Sequence, residues 1–378
     1  MPTSDPRALD FALSGLDVRA LARRAALPAV LAIAAVTAVV LLQSHVHVLA
    51  DSVRRVLDLN PAWALAAIVL ECLSLAGYVA LLWLVAGRAA PTIGARESAQ
   101  ITFAGAAATR LLPTAGAGGL ALALWALRQA GLRPRAATRT LLAFLVVLYS
   151  VFLAAIVFAG AVLALGLVGN HGPRELSAVA AISAGLGILA CLALGTRRRE
   201  EPDADASDEL ERRGYRGRIS ASMRLLGDAV RDALSLLRTG DARLAGAIAY
   251  WMLDAAVLWA MLHAFGSAPA LPVVVLAYFV GQLANTLPLP GSVSGGIGGV
   301  LIAFGVSSGV ALPAVLAYRT VAVWLPTPAA IAAVPALRAT IARWRREARA
   351  PERPRSVTES MPGRDPVGNL APVVVGVH

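Results

Sequence analysis

Long apolar stretches, separated by short polar segments, occupy most of this chain. Six of these stretches are close to the roughly 20 residues that a helix needs to cross the hydrocarbon core of a bilayer. They lie at residues 26–43, 62–86, 140–168, 176–195, 244–266 and 312–336. The pattern therefore predicts an all-α polytopic membrane protein with six full spans.

Two further apolar regions, 99–130 and 272–310, are interrupted by proline and glycine. Proline removes a backbone donor and glycine weakens a helix, so each region is divided into two arms. An arm of roughly 14 residues extends only about 20 Å as a helix, which is less than the thickness of the bilayer core. We therefore expect each region to form a re-entrant hairpin. The alternative, in which one arm of each region crosses the membrane, gives eight spans.

The arginine distribution favours the two hairpins. Arginine-rich segments face the cytoplasm in most membrane proteins, and here they are 1–25, 87–98, 128–139, 196–243 and 337–378. They share one side of the membrane only if 99–130 enters and leaves from the cytoplasm and 272–310 enters and leaves from outside. This topology predicts a multi-pass protein of the cell (plasma) membrane with both termini in the cytoplasm.

The regions that contain the two hairpins resemble each other in the order of their residues. The corresponding elements are Glu71 and Asp254, "FAGAAA" (103–108) and "FVGQLA" (279–284), Gly118-Gly119 and Gly295-Gly296, and Gly131 and Gly309. The order span, span, hairpin, span therefore occurs twice, which predicts an inverted-topology repeat. Transporters with such repeats bind their substrate near the midplane, between the two repeats.

The sequence divides the chain into four parts. They are a cytoplasmic N-terminal tail at 1–25, membrane repeat 1 at 26–168, membrane repeat 2 at 169–336, and a basic, disordered cytoplasmic tail at 337–378. Repeat 2 includes the charge-dense cytoplasmic linker 196–243. From Ile219 onwards this linker has the apolar spacing of a helix that lies along the membrane surface.

Composition restricts the classes of function. The chain has 378 residues, of which 58% are hydrophobic, and a formal net charge of +11 that arises from arginine, since lysine is absent. The positive-inside rule accounts for this charge, so we expect no nucleic-acid partner. Cys72 and Cys191 lie in separate apolar stretches and form no disulfide or metal-ligand pattern. Without a catalytic motif or a cofactor motif, the sequence predicts a non-enzymatic protein that needs no cofactor and no metal.

Arg110 lies within the first hairpin region, just before the turn "LLPTAGAGG". A guanidinium at this depth is costly unless it faces a cavity or a partner. Free N–H groups at helix N-termini and the arginine fork both bind phosphate oxygens. We therefore predict a lipid-headgroup site formed by Arg110, Pro113, Gly116, Gly118 and Gly119. The alternative is a structural salt bridge between Arg110 and Glu71.

The second hairpin region and the last span contribute further candidates to this site. The second turn lets the backbone fold tightly and approach a ligand through Pro290, Gly291, Gly295 and Gly296. Its alternative role is packing between small residues. Arg319 lies too deep in the last span to reach the interface easily, and we expect it to contact the second hairpin or a lipid headgroup. The alternative for Arg319 is an ion pair with Asp254.

Glu71 and Asp254 lie near the middle of their predicted spans. Buried carboxyl groups often bind protons, because desolvation disfavours the ionised form. Proton binding is therefore one predicted role of these two residues. Ion pairing with Arg110 and Arg319 is the other, and the two roles are compatible.

Three motifs carry a family resemblance: "RLLPTAGAGG" at 110–119, "LPLPGSVSGGIGG" at 287–299 and "YRTVAVWLP" at 318–326. With them, the chain from residue 25 to residue 340 resembles the lysylphosphatidylglycerol synthase transmembrane-domain family, also called flippase-like membrane proteins. The resemblance implies a membrane domain that moves or handles phospholipids or lipid-linked headgroups across the bilayer. Because only 337–378 follow the last span, we expect no soluble synthase domain and no aminoacyl transfer. Leu301 stands where family members often carry glutamate.

We therefore expect a flippase-like protein whose partners are membrane lipids. Two alternatives stay open: a proton-coupled secondary transporter of small solutes, and a non-catalytic membrane partner in envelope biogenesis. A flippase needs a cavity that opens sideways to lipid, whereas a solute transporter needs a closed central site. Assembly as a homo-oligomer, or with an envelope-biosynthesis partner, is compatible with the sequence.

Overall fold

The computed structural model describes residues 61–111, 117–169, 172–196, 214–266, 268–286 and 291–349. Every regular element within these ranges is helical. The helices are α1 (Pro61–Ala89), α2 (Ala95–Leu111), α3 (Ala117–Gln129), α4 (Pro134–Ala164), α5 (Arg174–Thr196), α6 (Gly214–Leu237), α7 (Ala245–Phe265), α8 (Leu271–Leu283), α9 (Ser292–Ala303), α10 (Ser308–Trp324) and α11 (Thr327–Arg349). Short 3₁₀ turns, Ala242–Leu244 and Ala284–Thr286, precede α7 and follow α8.

Five helical segments in the described part of the chain are long and apolar enough to cross a membrane. They are α1, α4, α5, α7 with its preceding turn, and the α10–α11 segment Ser308–Arg349. These segments confirm the all-α membrane class and match five of the six predicted spans. The remaining prediction, 26–43, lies outside the described residues. The last predicted span, 312–336, is divided between α10 and α11 by a turn at Leu325 and Pro326.

The helices α1 and α7 form the central pair of the fold and run antiparallel. Gly77 on α1 lies against Gly246 on α7, so that a Cβ atom added at Gly77 would be 2.8 Å from the Gly246 carbonyl oxygen. Nearby, the Ser74 hydroxyl donates a hydrogen bond to the Tyr250 carbonyl at 2.8 Å. Helices in membranes approach this closely only where small residues meet, and the glycine pair meets that requirement.

The helix α4 packs beside the central pair and also contacts α8. The Trp251 indole of α7 donates to the Leu148 carbonyl of α4 at 2.8 Å. The Phe152 ring of α4 meets the Phe279 ring of α8 edge-on, with centroids 4.9 Å apart. On its other side α4 packs against α5, which leaves most of its own apolar surface exposed. This exposed surface is typical of a helix that faces lipid.

The helix α6 packs against α4 and α5 within the predicted linker 196–243. Asp232 forms an ion pair with Arg139 at the beginning of α4. Arg231 donates to the Gly195 carbonyl at 3.2 Å, near the end of α5. The predicted helix of the linker is therefore present, begins at Gly214, and is attached to the bundle by its polar side chains as well as by its apolar face.

The first hairpin region, 99–130, contains the short helix pair α2 and α3. The arms approach most closely at Gly105 and Gly119, where a Cβ atom on Gly119 would lie 2.9 Å from the Gly105 carbonyl oxygen. Thr109 joins the arms, since its hydroxyl donates to the Gly105 carbonyl and accepts from the Gly119 N–H, each at 3.0 Å.

The second hairpin region, 272–310, contains the short helix pair α8 and α9. Here the close approach is between Gly281 and Gly296, where a Cβ atom on Gly296 would lie 3.0 Å from the Gly281 Cα. These two glycines follow Gly105 and Gly119 by 176 and 177 positions. The residues that we aligned from sequence therefore make the corresponding contact in both pairs.

The second arm of each pair also ends in the same way. Gly131 follows α3 with φ 97°, and Gly305 follows α9 with φ 88°, in the left-handed region where glycine is favoured. In each case the next residue donates to the carbonyl five positions back, which is the Schellman pattern. The sequence comparison matched Gly131 with Gly309. The structure corrects this match to Gly305, because only a glycine with positive φ closes the helix in this way.

The helix α11 packs antiparallel to α2. Thr340 donates to the Gln100 side-chain oxygen at 2.8 Å, and Arg343 pairs with Glu97 at 3.2 Å. The predicted tail boundary at residue 337 is therefore wrong, because 337–349 form the second half of α11. Its buried residues recur at helical spacing and were missed among the arginines: Leu337, Thr340, Ile341 and Trp344.

The two ends of the helix bundle differ in charge. At one end, which we call the arginine-rich end, Arg243 before α7 lies over the Trp83 ring near the end of α1, 4.7 Å from its centroid. The same end holds the beginning of α2 and the end of α3, since Arg343 contacts Glu97 and Arg345 contacts Gln129. Both ends of the α2–α3 pair are therefore at the arginine-rich end.

The α8–α9 pair has both of its ends at the opposite end of the bundle. Ala268 and Pro269, before α8, line the same surface depression as four residues that follow α9 and one from the first turn of α10: Phe304, Gly305, Val306, Ser307 and Val310. Gly172, before α5, contacts the Phe304 ring. The residues that begin α8 and those that follow α9 therefore lie together at the end of the bundle opposite Arg243.

Asp241 stabilises the chain where α7 begins at the arginine-rich end. Its carboxylate accepts hydrogen bonds from the Arg243 guanidinium and from the Arg243 N–H at 2.9 Å. The side-chain hydrogen bond, followed by the backbone hydrogen bond, lowers the pKa of Asp241 to about 2. Because this pKa is depressed, the contribution of the cap to stability is present at neutral pH and is lost only as the pH falls towards 2.

The Gly77–Gly246 contact yields a test by substitution. Gly77→Ala places a methyl group against the Gly246 carbonyl, and such overpacking destabilises a fold by about 1–3 kcal/mol. We therefore expect a lower thermal unfolding midpoint in detergent. Gly299→Ala is the matched control, because nothing lies within 4 Å of a Cβ atom there and alanine is the better helix former. Equal midpoints for the two variants would contradict the close packing of α1 and α7.

Candidate functional site

Two carboxyl groups meet where α1 and α7 cross. Glu71 is 4% exposed and Asp254 is 8% exposed, so both are removed from solvent and lipid. Their side chains lie close enough to interact electrostatically. The antiparallel register that packs Gly77 against Gly246 also brings these carboxyl groups together, because each lies within about two turns of its glycine.

Two tyrosines bind the same carboxyl group from neighbouring helices. Tyr278 on α8 donates to Oδ2 of Asp254 at 2.5 Å, and Tyr318 on α10 donates to this oxygen at 3.3 Å. Gln282 donates to the Tyr318 hydroxyl oxygen at 3.1 Å. We call these four residues, together with Glu71, the carboxyl–tyrosine cluster. It draws side chains from α1, α7, α8 and α10.

Helical spacing explains why α8 supplies two members of the cluster. Tyr278 and Gln282 are four residues apart, so they project from the same face of α8. Tyr278 is fully buried, whereas Gln282 is half-buried. The hydrogen-bond chain from Asp254 through Tyr318 to Gln282 therefore leads from the interior towards a more accessible position.

Aromatic side chains surround the cluster. The Trp251 ring packs against Tyr250 with centroids 4.8 Å apart, and Tyr278 packs against Phe279 at 4.9 Å. Tyr78 on α1 meets Tyr250 at 5.0 Å. These rings exclude water around the carboxyl groups and lower the local dielectric, which strengthens each hydrogen bond of the cluster.

Arg319 follows Tyr318 on α10 and is half-buried. It interacts electrostatically with both Asp254 and Tyr318. Among the described side chains, no direct salt bridge joins Arg319 to Asp254, whose hydrogen bonds come from Tyr278 and Tyr318. Arg319 therefore adds positive potential beside the cluster without occupying the carboxylate, and its guanidinium can take another anionic partner.

The predicted turn residues are described only in part. The side chain of Arg110 lies outside the described residues, as do Pro113, Gly116 and Pro290. Gly118 is buried at the beginning of α3, next to Gly119. The proposed salt bridge between Arg110 and Glu71 therefore stays a prediction.

The second turn has the backbone geometry that its glycines predict. Gly291 caps α9 with φ 78° in the left-handed region, and the Gly295 N–H donates to its carbonyl at 2.8 Å. A Cβ atom at Gly295 would meet nothing within 4 Å, whereas Gly296 packs against Gly281. Of these glycines, Gly296 serves the contact between hairpin arms and Gly295 faces open space.

The structure thus brings Glu71, Asp254 and Arg319 into one electrostatic group. Sequence reasoning missed Tyr278, Tyr318 and Gln282, which supply the hydrogen bonds. One signal was available, since Tyr318 stands directly before Arg319 in the motif "YRTVAVWLP". The burial of both tyrosine hydroxyls requires polar partners, and Asp254 is the partner that they share.

Leu301 occupies the position where members of the resembling family often carry glutamate, and it is fully buried on α9. A leucine at this position supplies packing and no charge. The acidic groups in the described part of the bundle interior are instead Glu71 and Asp254. Within that part, no group of three metal-ligating side chains occurs.

The comparisons with known proteins give the family. The family described as "Lysylphosphatidylglycerol synthase TM region" matches residues 29–330. This range includes every membrane helix described above except α11, of which only the first four residues fall within it. No curated protein matches the chain. Because the match covers well over half of the sequence and contains the carboxyl–tyrosine cluster and both helix pairs, the chain belongs to the lysylphosphatidylglycerol synthase transmembrane-region family.

Proposed function

We propose that this protein binds phospholipid or lipid-linked headgroups and moves them across the cell membrane. The family match over residues 29–330 is the observation that carries the proposal. A membrane region of a family named for a phospholipid product has lipids as its natural substrates. The proposed role is non-catalytic, with the membrane lipids as partners.

An inverted repeat with two re-entrant hairpins is the second part of the proposal. Three observations support it: the antiparallel central pair, the location of the α2–α3 ends and the α8–α9 ends at opposite ends of the bundle, and the glycine contacts at Gly105–Gly119 and Gly281–Gly296. Non-helical backbone at membrane depth is tolerated where it lines a cavity or is buried in protein. We therefore propose that the two hairpin turns line the path along which the headgroup crosses the membrane.

Arg319 is the proposed binding group for the headgroup phosphate. It is half-buried, it makes no direct salt bridge with Asp254 among the described side chains, and it belongs to a helix that contacts the central pair. A guanidinium binds phosphate oxygens with two parallel hydrogen bonds. Arg110 is the proposed counterpart at the first turn, where α2 ends and α3 begins.

The carboxyl–tyrosine cluster favours one second candidate, the proton-coupled secondary transporter of small solutes. Buried carboxyl groups in membrane helices commonly serve ion or proton pathways. The two candidates differ in the path of the substrate. A lipid headgroup must travel with its acyl chains in the bilayer, whereas a small solute needs no opening to lipid.

Substitution of Arg319 tests the lipid proposal. A charged hydrogen bond contributes about 1.5–3 kcal/mol, and each 1.4 kcal/mol corresponds to a tenfold change. We therefore expect Arg319→Ala to slow the movement of fluorescent phospholipids in reconstituted vesicles by about tenfold or more. Arg319→Lys keeps the charge but not the fork, so its rate should be intermediate. Arg135→Ala removes an exposed arginine of α4 and serves as the matched control. An unchanged rate for folded Arg319→Ala protein would refute the assignment of Arg319.

Cysteine labelling tests the topology. In a background of Cys72→Ala and Cys191→Ala, single cysteines replace Arg96 in the first turn of α2 and Arg133 after α3. Two others replace Ala270 before α8 and Ser307 after α9. We expect a membrane-impermeant maleimide to label Ala270→Cys and Ser307→Cys from outside the cell, and the two arginine variants only in inverted vesicles. If Arg96→Cys and Arg133→Cys were labelled from opposite sides, the first pair would be a full crossing and the proposal would fail.

A further inference from the structure

One face of α11 carries an exposed row of side chains that packing within the bundle does not explain. Positions 331, 338, 345 and 349 are separated by seven, seven and four residues, so they lie on the same side of the helix. All four side chains are exposed, and they are Ile331, Arg338, Arg345 and Arg349. We call this row the α11 stripe.

The contact of α11 with the bundle lies on a different face of the helix. Its buried side chains include Ile341 and Trp344. Thr340 joins α11 to α2 through a hydrogen bond to the Gln100 side chain at 2.8 Å. These residues differ from the stripe positions by amounts that place them on the other side of the helix. The α11 stripe therefore points away from the contact with α2.

The arginines of the stripe carry charge that the described acids do not neutralise. The acids that form salt bridges with α11 in the described part of the chain both bind Arg343, which lies outside the stripe. Arg345 donates a hydrogen bond at 3.0 Å to the side-chain oxygen of Gln129, which is a neutral partner. No described carboxylate forms a salt bridge with an arginine of the stripe. The stripe therefore presents a net positive charge.

The stripe changes from apolar to basic along the helix axis. Ile331 is 68% exposed and belongs to the apolar half of α11. Arg338 follows two turns later, about 10 Å further along the helix. The second half of α11 lies at the arginine-rich end, where Arg345 contacts Gln129 of α3. An exposed isoleucine suits the acyl chains of lipids, whereas arginines at the edge of an apolar segment suit anionic headgroups.

We propose that the α11 stripe binds an anionic phospholipid. The acyl chains lie along Ile331, and Arg338 and Arg345 hold the headgroup phosphate, which a guanidinium binds with two parallel hydrogen bonds. The hydrogen bond to Gln129 fixes the position of the Arg345 guanidinium. Arg349 extends the positive potential beyond the phosphate. Binding at this exposed surface requires no movement of lipid across the membrane, so the inference goes beyond the proposed function.

The combination of charge and apolar surface favours a lipid over other anionic occupants. A soluble polyanion would contact the arginines and would leave Ile331 without an apolar partner. Each arginine near an anionic membrane surface contributes about fivefold to binding. With two arginines at the phosphate, we therefore expect the stripe to prefer an anionic phospholipid over a zwitterionic one by about fivefold or more.

Fluorescence quenching by brominated lipids tests this site locally. In the Cys72→Ala and Cys191→Ala background, Ile331→Cys carries a fluorophore on the stripe itself. The full chain is reconstituted into vesicles of phosphatidylcholine and phosphatidylglycerol, with the bromine on either the first or the second lipid. The surface charge is then the same in both preparations. We expect the stronger quenching from brominated phosphatidylglycerol, and this preference should fall as salt is added, because salt screens exposed charges.

Two double substitutions separate the stripe from the general positive charge of the arginine-rich end. Arg338→Gln with Arg345→Gln should bring quenching by the two brominated lipids close to equality. Arg133→Gln with Arg135→Gln removes the same amount of charge from exposed positions where α4 begins, and should leave the preference unchanged. All four arginines are exposed, so these variants are expected to fold.

Three results would overturn the proposal. Equal quenching by the two lipids with all arginines present is the result expected if a protein or a soluble polyanion occupies the stripe. The same loss of preference in both double variants would mean that the charge of the whole end selects the lipid. Absence of quenching by either lipid would show that the stripe does not contact lipid. Protein that moves no lipid but keeps the preference at residue 331 would retain this site and refute the proposed function.

Discussion

The close crossing of α1 and α7 is the constraint on which the rest of the structure depends. In a bilayer, apolar side chains gain little by leaving lipid for protein, so helix pairs are held by close packing and by polar contacts. Gly77 and Gly246 allow the two backbones to touch, and the carboxyl groups of Glu71 and Asp254 meet because of that distance. A wider pair would separate the two buried acids.

The burial of so many polar groups in an apolar bundle requires that they satisfy one another. Asp254 receives two tyrosine hydroxyls, and Tyr318 receives the Gln282 amide in turn. A network of this kind is costly when any member is missing, because an unpaired polar group in a low-dielectric interior loses its hydration without compensation. Sequences accept such a risk mainly at functional sites, where local packing rules are broken for a purpose. The aromatic rings packed around the carboxyl–tyrosine cluster exclude water and so strengthen its hydrogen bonds.

The apolar pattern was sufficient to predict most of the membrane helices, since stretches such as 62–86 and 176–195 correspond to α1 and α5 almost to the residue. It also identified Glu71 and Asp254, because an acid inside an apolar stretch is conspicuous. The tyrosines were not predictable in the same way, since the apolar body of Tyr278 suits ordinary packing and its hydroxyl role depends on a helix 24 residues away in sequence. The second half of α11 was missed because its arginines concealed the apolar spacing of Leu337, Ile341 and Trp344.

The two short helix pairs agree in backbone, whereas the side chains around the central helix pair differ in chemistry. Both short helix pairs pack glycine against glycine and end in the same left-handed turn, so these two parts of the scaffold are alike. Where α1 and α7 cross, however, α1 supplies glutamate and α7 supplies aspartate, and both tyrosine donors bind Asp254. The hydrogen bonds of the carboxyl–tyrosine cluster are therefore concentrated on one of the two acids. Because Tyr278 and Tyr318 come from α8 and α10, Asp254 is the residue through which these two helices are joined to the central pair.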